Sequence, residues 1–557
     1  MNAIPPDVSA LARSDTAARD DLVARLEQLN AIGASLSAER DITRLLESIL
    51  DAAKSITRAD GGTLYRVTDE GTLRFEIVRT TSLGYHLGGT SGNPVPFYPI
   101  HLVGRDGRPN HSMVAAYAAL TGQTVNIPDA YIADGFDFTG TRNFDRKTGY
   151  RSKSFLTVPM KNHEHEIIGV LQLINATDPR SGEIVSFSAS DQRLAESLAS
   201  QAAIALTNRM LINQLEELFE SFIRLINLAI DEKSPYTGGH CQRVPTLTMM
   251  LAEAASETRS GPLASFTMTD RDRYELKIAG LLHDCGKVTT PVHVVDKATK
   301  LQTLFDRIHL VETRFEVLKR DAEIEAWKRK VELLGRGASP EEVAAVDARL
   351  RERIRRLEDD CAFLRACNIG GETMRDEDIE RVRAIARYRW TDVSGRETDF
   401  LSDDEVKNLT IRRGTLTAEE REIINYHIVA TIKMLEALPW PKHLKNVPEY
   451  AGGHHERMDG KGYPRGLTRE QMSVQARIMG IADIFEALTA KDRPYKKGKT
   501  LSESLAILGR MRLDGHIDPD LFDVFVRSKV YLRYAEMFLD KSQIDAVDES
   551  KIPGYTP

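Results

Sequence analysis

Five of the 14 histidines in this 557-residue chain lie beside other side chains able to hold a cation. They are His240 in YTGGHCQRV, His283 in LLHDCGK, His427 in INYHIVA, and His454 with His455 in GGHHERMDGKGYP. Asp284 follows His283 directly, and Asp483 sits in the apolar run GIADIFEALTA. A carboxylate in such a run is costly unless a metal or strong hydrogen bonds compensate it. The same holds for His283 and Asp284, which follow IAGLL. A single histidine on a helix is ordinarily a core or surface residue, but five unrelated ones, with two acids idle in apolar runs, make a strained explanation. Imidazole and carboxylate ligands without thiolates favour iron, manganese or zinc with open positions and argue against a closed structural zinc site.

The elements that must position these groups are expected to be helices, because beyond Asp231 strand signals nearly vanish and three- and four-residue apolar spacing dominates. Residues 300–412 stand apart by their charge. There Gly335 and Gly337 stop one helix, and Ser339-Pro340-Glu341-Glu342 offers an N-cap, a first-turn proline and a capping-box acid for the next. A helical hairpin inserted in the domain is expected, its charges forming a solvated face. Upstream, Asp191 to about Asp231 contains neither glycine nor proline. Leu211, Leu215, Leu218, Phe222, Leu225 and Ala229 alternate steps of four and three, a heptad seam, with Leu194, Leu198 and Ala205 as a weaker upstream extension. This pattern predicts a parallel dimer helix.

The N-terminal part is mixed. Asp21 to Ser55 has helical spacing (Leu22, Leu26, Leu29, Ile32, Leu36, then Leu45, Leu46, Ile49). GTLYRVTDEGTLRFEIV at 62–78 reads as two alternating strands around the turn Thr68-Asp69-Glu70-Gly71, and SFLTVPM at 154–160 pairs with IIGVLQLINA at 167–176. His163 and His165, in the connecting KNHEHE, read as solvated loop residues. Helix, strands and helix in this order predict an α+β sensor module.

Composition narrows the function. A net charge of −7, with 41% hydrophobic and 28% charged residues, describes a globular chain without a nucleic-acid-coating surface. A polyanionic substrate would need a local basic site. The sequence has no run of about 18 uncharged apolar residues, and its N-terminus lacks a signal-peptide pattern. Cys241, Cys285, Cys361 and Cys367 form no CxxC pair, so neither a disulfide framework nor a zinc knot is expected. Together these features predict a cytoplasmic protein with no membrane span and no nucleic acid polymer as partner.

From about Phe219 to Tyr531, interrupted by the insertion, the chain closely resembles the HD-GYP domain, a branch of the HD metal-dependent phosphohydrolases. The match is carried by YTGGHCQRV, LLHDCGK, VVDKATKL, GTLTAEE with the following YH, HHERMDGKGYPRGL and ARIMGIADIFEALTAKDRPYKK. The resemblance implies hydrolysis of cyclic di-GMP to pGpG and onward to GMP, with two divalent cations, iron or manganese. It places one cation on His240, His283, Asp284 and Asp483, and the other on Asp284, His427, His454 and His455, with Asp284 as the bridge. Two cations about 3.5–4 Å apart can activate water for in-line attack on phosphorus and neutralise the transferred group, so no serine or cysteine nucleophile is needed.

The resemblance also assigns Lys287 to the scissile phosphate, and the four-residue step from His283 would set it on the same helix face. Arg493 and Lys496 resemble a phosphate-gripping pair, and Tyr463 of the Gly462-Tyr463-Pro464 motif resembles a base-contacting tyrosine. Arg493 lies one residue further from Asp483 than in the commonest version of the motif. Where some members carry a glutamate that creates a third metal site, four residues before the first histidine, this chain has Tyr236. Two metals are therefore expected.

Roughly residues 25–210 resemble a GAF domain, on NFDRKTGYRSKSFLTVPM at 143–160 and GVLQLINA at 169–176. Versions that bind cyclic nucleotides carry Asn-Lys, then Phe, then Asp-Glu. Here Asn175-Ala176, Phe187 and Asp191-Gln192 lack the Lys and the Glu, which removes the expected salt bridge. An unidentified small ligand or simple dimerisation fits the module.

The expected architecture is multidomain: a polar leader (1–20), an α+β GAF-like sensor (21–205), a connecting coiled-coil helix (206–232), an all-α HD-GYP domain (233–540) with its insertion at about 300–412, and a tail (541–557). The expected activity is that of a cyclic di-GMP phosphodiesterase regulated by the GAF module, acting as a homodimer, with a GGDEF-type or other signalling protein as a candidate partner. The alternatives are a cyclic di-GMP receptor or scaffold with little turnover, and an HD phosphohydrolase for another cyclic dinucleotide.

Overall fold

The computed structural model describes residues 8–104, 106–234, 239–371, 373–491 and 498–556. The chain divides into two compact units, Met1–Phe219 and Glu220–Pro557.

The first unit is built on an antiparallel sheet of β1 (Ala59–Val67), β2 (Thr72–Thr80), β3 (Tyr85–Gly88), β4 (Ile100–His101), β5 (Val125–Ile127), β6 (Phe155–Lys161), β7 (Ile167–Thr177) and β8 (Ile184–Val185). The order is β3-β2-β1-β7-β6-β5, with β4 added to β2 and β8 to β7. The turn between β1 and β2 is closed by Gly71 N donating to Thr68 O at 3.0 Å. One sheet face buries Leu64, Leu156 and Leu171 against Leu45, Ile49 and Leu50 of the helix Ile42–Thr57. The other face carries the helices Val114–Thr121 and Thr139–Thr148.

Three features differ from the sequence reading. The first helix begins at Val8 and runs to Ala38, so part of the expected leader is helical. Leu194 and Leu198 belong to the sheet-facing core rather than to an upstream seam, because that end of the helix Ala189–Lys233 lies on the GAF-like core. The strands β3, β4, β5 and β8 were not anticipated, being only two to four residues long. Asn175 is fully buried, its amide bonded to the backbone at Arg151 and Lys153, and Asp191 pairs with Arg25.

The second unit is mainly helical. His240–Ser256, Asp270–Leu282, Ala418–Glu436 and Val474–Thr489 surround the histidines, and Leu501–Leu513, Pro519–Arg527 and Val530–Phe538 complete the unit. Thr269 and Thr417 each cap a helix through a reciprocal bond with an acid three residues on. The insertion is the antiparallel pair Ile308–Gly335 and Pro340–Asn368, then Asp376–Ala386, a small hairpin (Arg389–Thr391 with Glu397–Asp399) and Asp403–Leu409. Ser339 caps its second long helix with Glu342, as the local sequence suggests.

The insertion holds a core of its own, in which Phe315, Leu364, Val382 and Phe400 are buried. At its base the buried Lys297 ammonium reaches Glu420 at 2.7 Å and Asn408 at 3.0 Å, joining chain segments on either side of the insertion. Residues after 540 pack onto the helix Leu501–Leu513: Asp545 accepts from Ser502 N at 3.0 Å, and Ile552 is buried. No helix among the described residues is long and apolar enough to cross a membrane.

Candidate metal centre

Asp284 is the meeting point of the site. The helix Asp270–Leu282 ends at His283, and Asp284 starts the short 3-10 turn Cys285–Thr289. That turn lies against the helix Ala418–Glu436 so closely that a Cβ on Gly286 would fall 2.0 Å from His427 O and 2.5 Å from Thr431 N. Only glycine permits this approach, and Gly286 N donates to Thr431 Oγ1 at 2.9 Å.

The result is that the two oxygens of Asp284 face different histidines. Oδ2 lies 3.0 Å from His240 Nε2 and 3.3 Å from His283 Nε2, while Oδ1 lies 3.3 Å from His427 Nε2. On the first side His240 and His283 approach Nε2 to Nε2 at 3.3 Å, and Asp483 Oδ1 stands 3.3 Å from His240. On the second, His455 Nε2 is 3.2 Å from His427 Nε2, and the His454 and His455 rings are 4.1 Å apart. The structure thus brings together all seven of the expected ligands. Two clusters could each hold a cation: His240 with His283 and Asp284, and His427 with His454 and His455.

The ring orientations are fixed from behind. Nδ1 of His283 donates to Gly280 O at 2.7 Å, that of His454 to Ala451 O at 2.7 Å, and that of His427 to Ile424 O, each one helical turn back. His240 Nδ1 instead meets the buried carboxylate of Glu486, which Arg243 holds at 2.7 Å. Glu486 escaped the sequence reading, although its place one turn beyond Asp483 in DIFEALTA was a usable signal. With the Nδ1 atoms committed, the Nε2 atoms face the centre, the orientation that imidazole ligation requires.

Two buried atoms of this centre, Asp284 Oδ1 and His454 Nε2, have no hydrogen-bond partner among the described residues. Orphaned acceptors of this kind fit a cation and are expensive without one. Burial, reinforced by the neighbouring His283, pushes the pKa of His454 down to about 4, so the ring is neutral and ready to ligate at neutral pH. Burial opposes ionisation of Asp284, yet Lys287 and His283 hold it well below the usual carboxylate range. Asp483 is held low in the same way, chiefly by His240.

Lys287 corrects one expectation. Because the α-helix ends at Leu282, Lys287 does not share a helix face with His283; the 3-10 turn swings its ammonium onto Asp284 Oδ2 at 2.6 Å. Tyr463 stacks on His455, with ring centroids 4.9 Å apart and planes 21° apart. Its loop is pinned by the buried Glu456, which accepts from Arg465 N at 2.7 Å and Leu467 N at 2.9 Å. Any Cβ on Gly462 would fall 2.4–2.6 Å from the backbone of Glu456 and Arg457, and the Tyr463-Pro464 peptide is cis. Arg493, Lys496 and Tyr236 lie outside the described residues.

Residues 41–206 match the GAF domain, and residues 237–362 and 403–521 match HD domains. The chain therefore joins an N-terminal GAF domain to an HD region interrupted by the insertion. Over 82 residues it is 46% identical to 3'3'-cGAMP-specific phosphodiesterase 1 of Vibrio cholerae, covering 15% of this chain and 19% of that one. Over 120 residues it is 34% identical to a cyclic di-GMP phosphodiesterase of Thermotoga maritima, covering 21% and 32%. These stretches span a third or less of the relatives' lengths. Among solved structures, the GAF domain of a phosphoenolpyruvate-protein phosphotransferase from Coxiella burnetii aligns with 35% of this chain and 98% of its own, at 14% identity and a TM-score of 0.27.

Proposed function

We propose that this chain is an HD-GYP-type phosphodiesterase that hydrolyses cyclic di-GMP to linear pGpG, and onward to GMP where the second diester is also cut. The observation that carries the reading is Asp284, whose two oxygens face two separate sets of imidazoles. This is the donor arrangement of a bridged two-cation site, with iron or manganese suited to imidazole and carboxylate. Bound divalent cations there would activate water and neutralise charge on the phosphoryl group. The chain's own residues orient and bind. Asp284 and Asp483 stay ionised, and His454 stays neutral. The partly buried Lys287 ammonium offers a phosphate a positive charge beside Asp284. Tyr463 supplies an aromatic ring for a guanine base.

The GAF domain acts as the sensor, and the helix Ala189–Lys233 joins two copies. Leu211, Leu215, Leu218, Phe222 and Leu225 are 46–64% exposed along it, an apolar stripe that a second copy would cover. A second substrate reading, 3'3'-cGAMP, is favoured by the name of the Vibrio cholerae relative. Chromatography of each cyclic dinucleotide after incubation with metal-loaded protein separates the readings. Linear product from the intact chain and none from Asp284→Ala is expected. Tight binding without product would make the chain a receptor, and equal product from both proteins would remove the metal mechanism.

A further inference from the structure

The GAF domain holds a half-open pocket of about 310 Å³ on the sheet face opposite the Ile42–Thr57 helix, within the size range of small-molecule sites. Its walls are aromatic pairs. Tyr65 and Phe75 have ring centroids 4.7 Å apart, Phe75 and Phe97 5.3 Å, and Phe138 and Phe155 5.6 Å. The polar groups of the wall are largely committed to one another or to neighbours. Tyr65 OH donates to Gln172 Oε1 at 3.1 Å, Gln172 Nε2 to Thr157 Oγ1 at 3.1 Å, Tyr150 OH to Asp60 at 2.6 Å, and Ser152 Oγ to Asp145 at 2.8 Å.

Charge decides what such a cavity can hold. None of the described residues lining it is a lysine, arginine or histidine, so an anion entering it would lose part of its hydration without gaining a counter-charge from them. The start of the helix Thr139–Thr148 borders the cavity and would otherwise attract an anion. That position is already occupied: the exposed Asp137 carboxylate accepts from Thr139 N at 2.8 Å and sets a negative charge at the helix start. We infer that this pocket binds an uncharged, largely aromatic small molecule and rejects anionic cyclic nucleotides. The inference deepens the sensor reading above by naming the ligand class.

The test uses the full chain and two fluorescent probes with one skeleton, uncharged N-phenylnaphthylamine and its anionic counterpart anilinonaphthalene sulfonate, with cyclic AMP and cyclic GMP as competitors. Gly140 lines the pocket, is exposed, and would carry a Cβ with nothing within 4 Å of it, so Gly140→Trp can obstruct the pocket without disturbing the core. Saturable binding of the uncharged probe, lost in Gly140→Trp and not displaced by either cyclic nucleotide, is the expected result. The sulfonate should bind more than about tenfold more weakly. Asp137→Asn should narrow that gap by roughly two- to fivefold, as expected for one exposed charge. Displacement by a cyclic nucleotide, equal affinity for the two probes, or uncharged-probe binding that is absent or survives Gly140→Trp would overturn the assignment. Binding is scored without catalysis, so failure here leaves regulation by the GAF domain to be judged separately, from hydrolysis with and without the probe.

Discussion

Glu486 holds the Nδ1 side of His240, so that Nε2 of the same ring points at Asp284 and Asp483. Arg243 fixes the other oxygen of Glu486 at 2.7 Å, making a carboxylate–histidine pair behind the first cluster. Such partners orient ligands and raise their basicity, and losing one typically costs about 10–100-fold in metal affinity. Glu486→Gln should therefore weaken metal binding by about that factor. Equilibrium dialysis with elemental analysis reads the change directly. Unaltered affinity would mean that Glu486 only fills space.

The helices were readable because caps and apolar spacing are local, whereas several features of the site depend on contacts made elsewhere. Leu194 and Leu198 have the spacing of a seam but face the GAF core, because periodicity identifies a buried face without naming what buries it. Lys287 misled because a four-residue step means one face only while the α-helix continues, and here it stops at Leu282. The insertion's core was hidden by its charged surface, and its strands Arg389–Thr391 and Glu397–Asp399 are too short for alternation to register. The ligand residues themselves stood out because buried imidazoles and carboxylates need a reason.

Protonation of His454 should be visible in the stability of chelator-stripped protein. Burial lowers its folded pKa to about 4, below the 6.5 of an unperturbed ring, so between these values the unfolded chain binds more protons. The contribution is complete above about pH 6.5 and is lost as pH falls toward 4, on the order of 3 kcal/mol in all. Denaturant titrations across that window should give a steeper decline for wild type than for His454→Gln. Parallel curves would refute the assignment.

Glu456 should matter to substrate binding more than to the metals. Its buried carboxylate accepts two backbone N–H groups from the loop that follows Tyr463, and Gln in its place would turn an amide donor toward one of them. Leaving such a donor unpaired costs about 1–3 kcal/mol. Glu456→Gln should raise KM for the cyclic dinucleotide by roughly tenfold, with metal content unchanged and kcat altered less. A fall in kcat with constant KM would place the effect on the chemical step instead.

The exposed stripe on the helix Ala189–Lys233 leads to a prediction about assembly. Leu215 is 64% exposed and Phe222 55%, whereas Ile223 and Ile230 on the same helix are each 2% exposed. One face is thus already covered within the chain, and the heptad face is left for another partner. A second copy suits it because the steps of four and three bring the same residues together across a twofold axis. Placing a carboxylate in that seam would bury a charge against its own counterpart, so Phe222→Asp should weaken dimerisation on the order of 100-fold or more. Sedimentation velocity should then find a dimer for wild type and a monomer for the variant. Cooperative unfolding of both proteins would show that the change acts on the seam rather than on the fold, because Phe222 contributes an exposed side chain. If the variant keeps the dimer mass, the copies meet elsewhere and the stripe needs a different occupant.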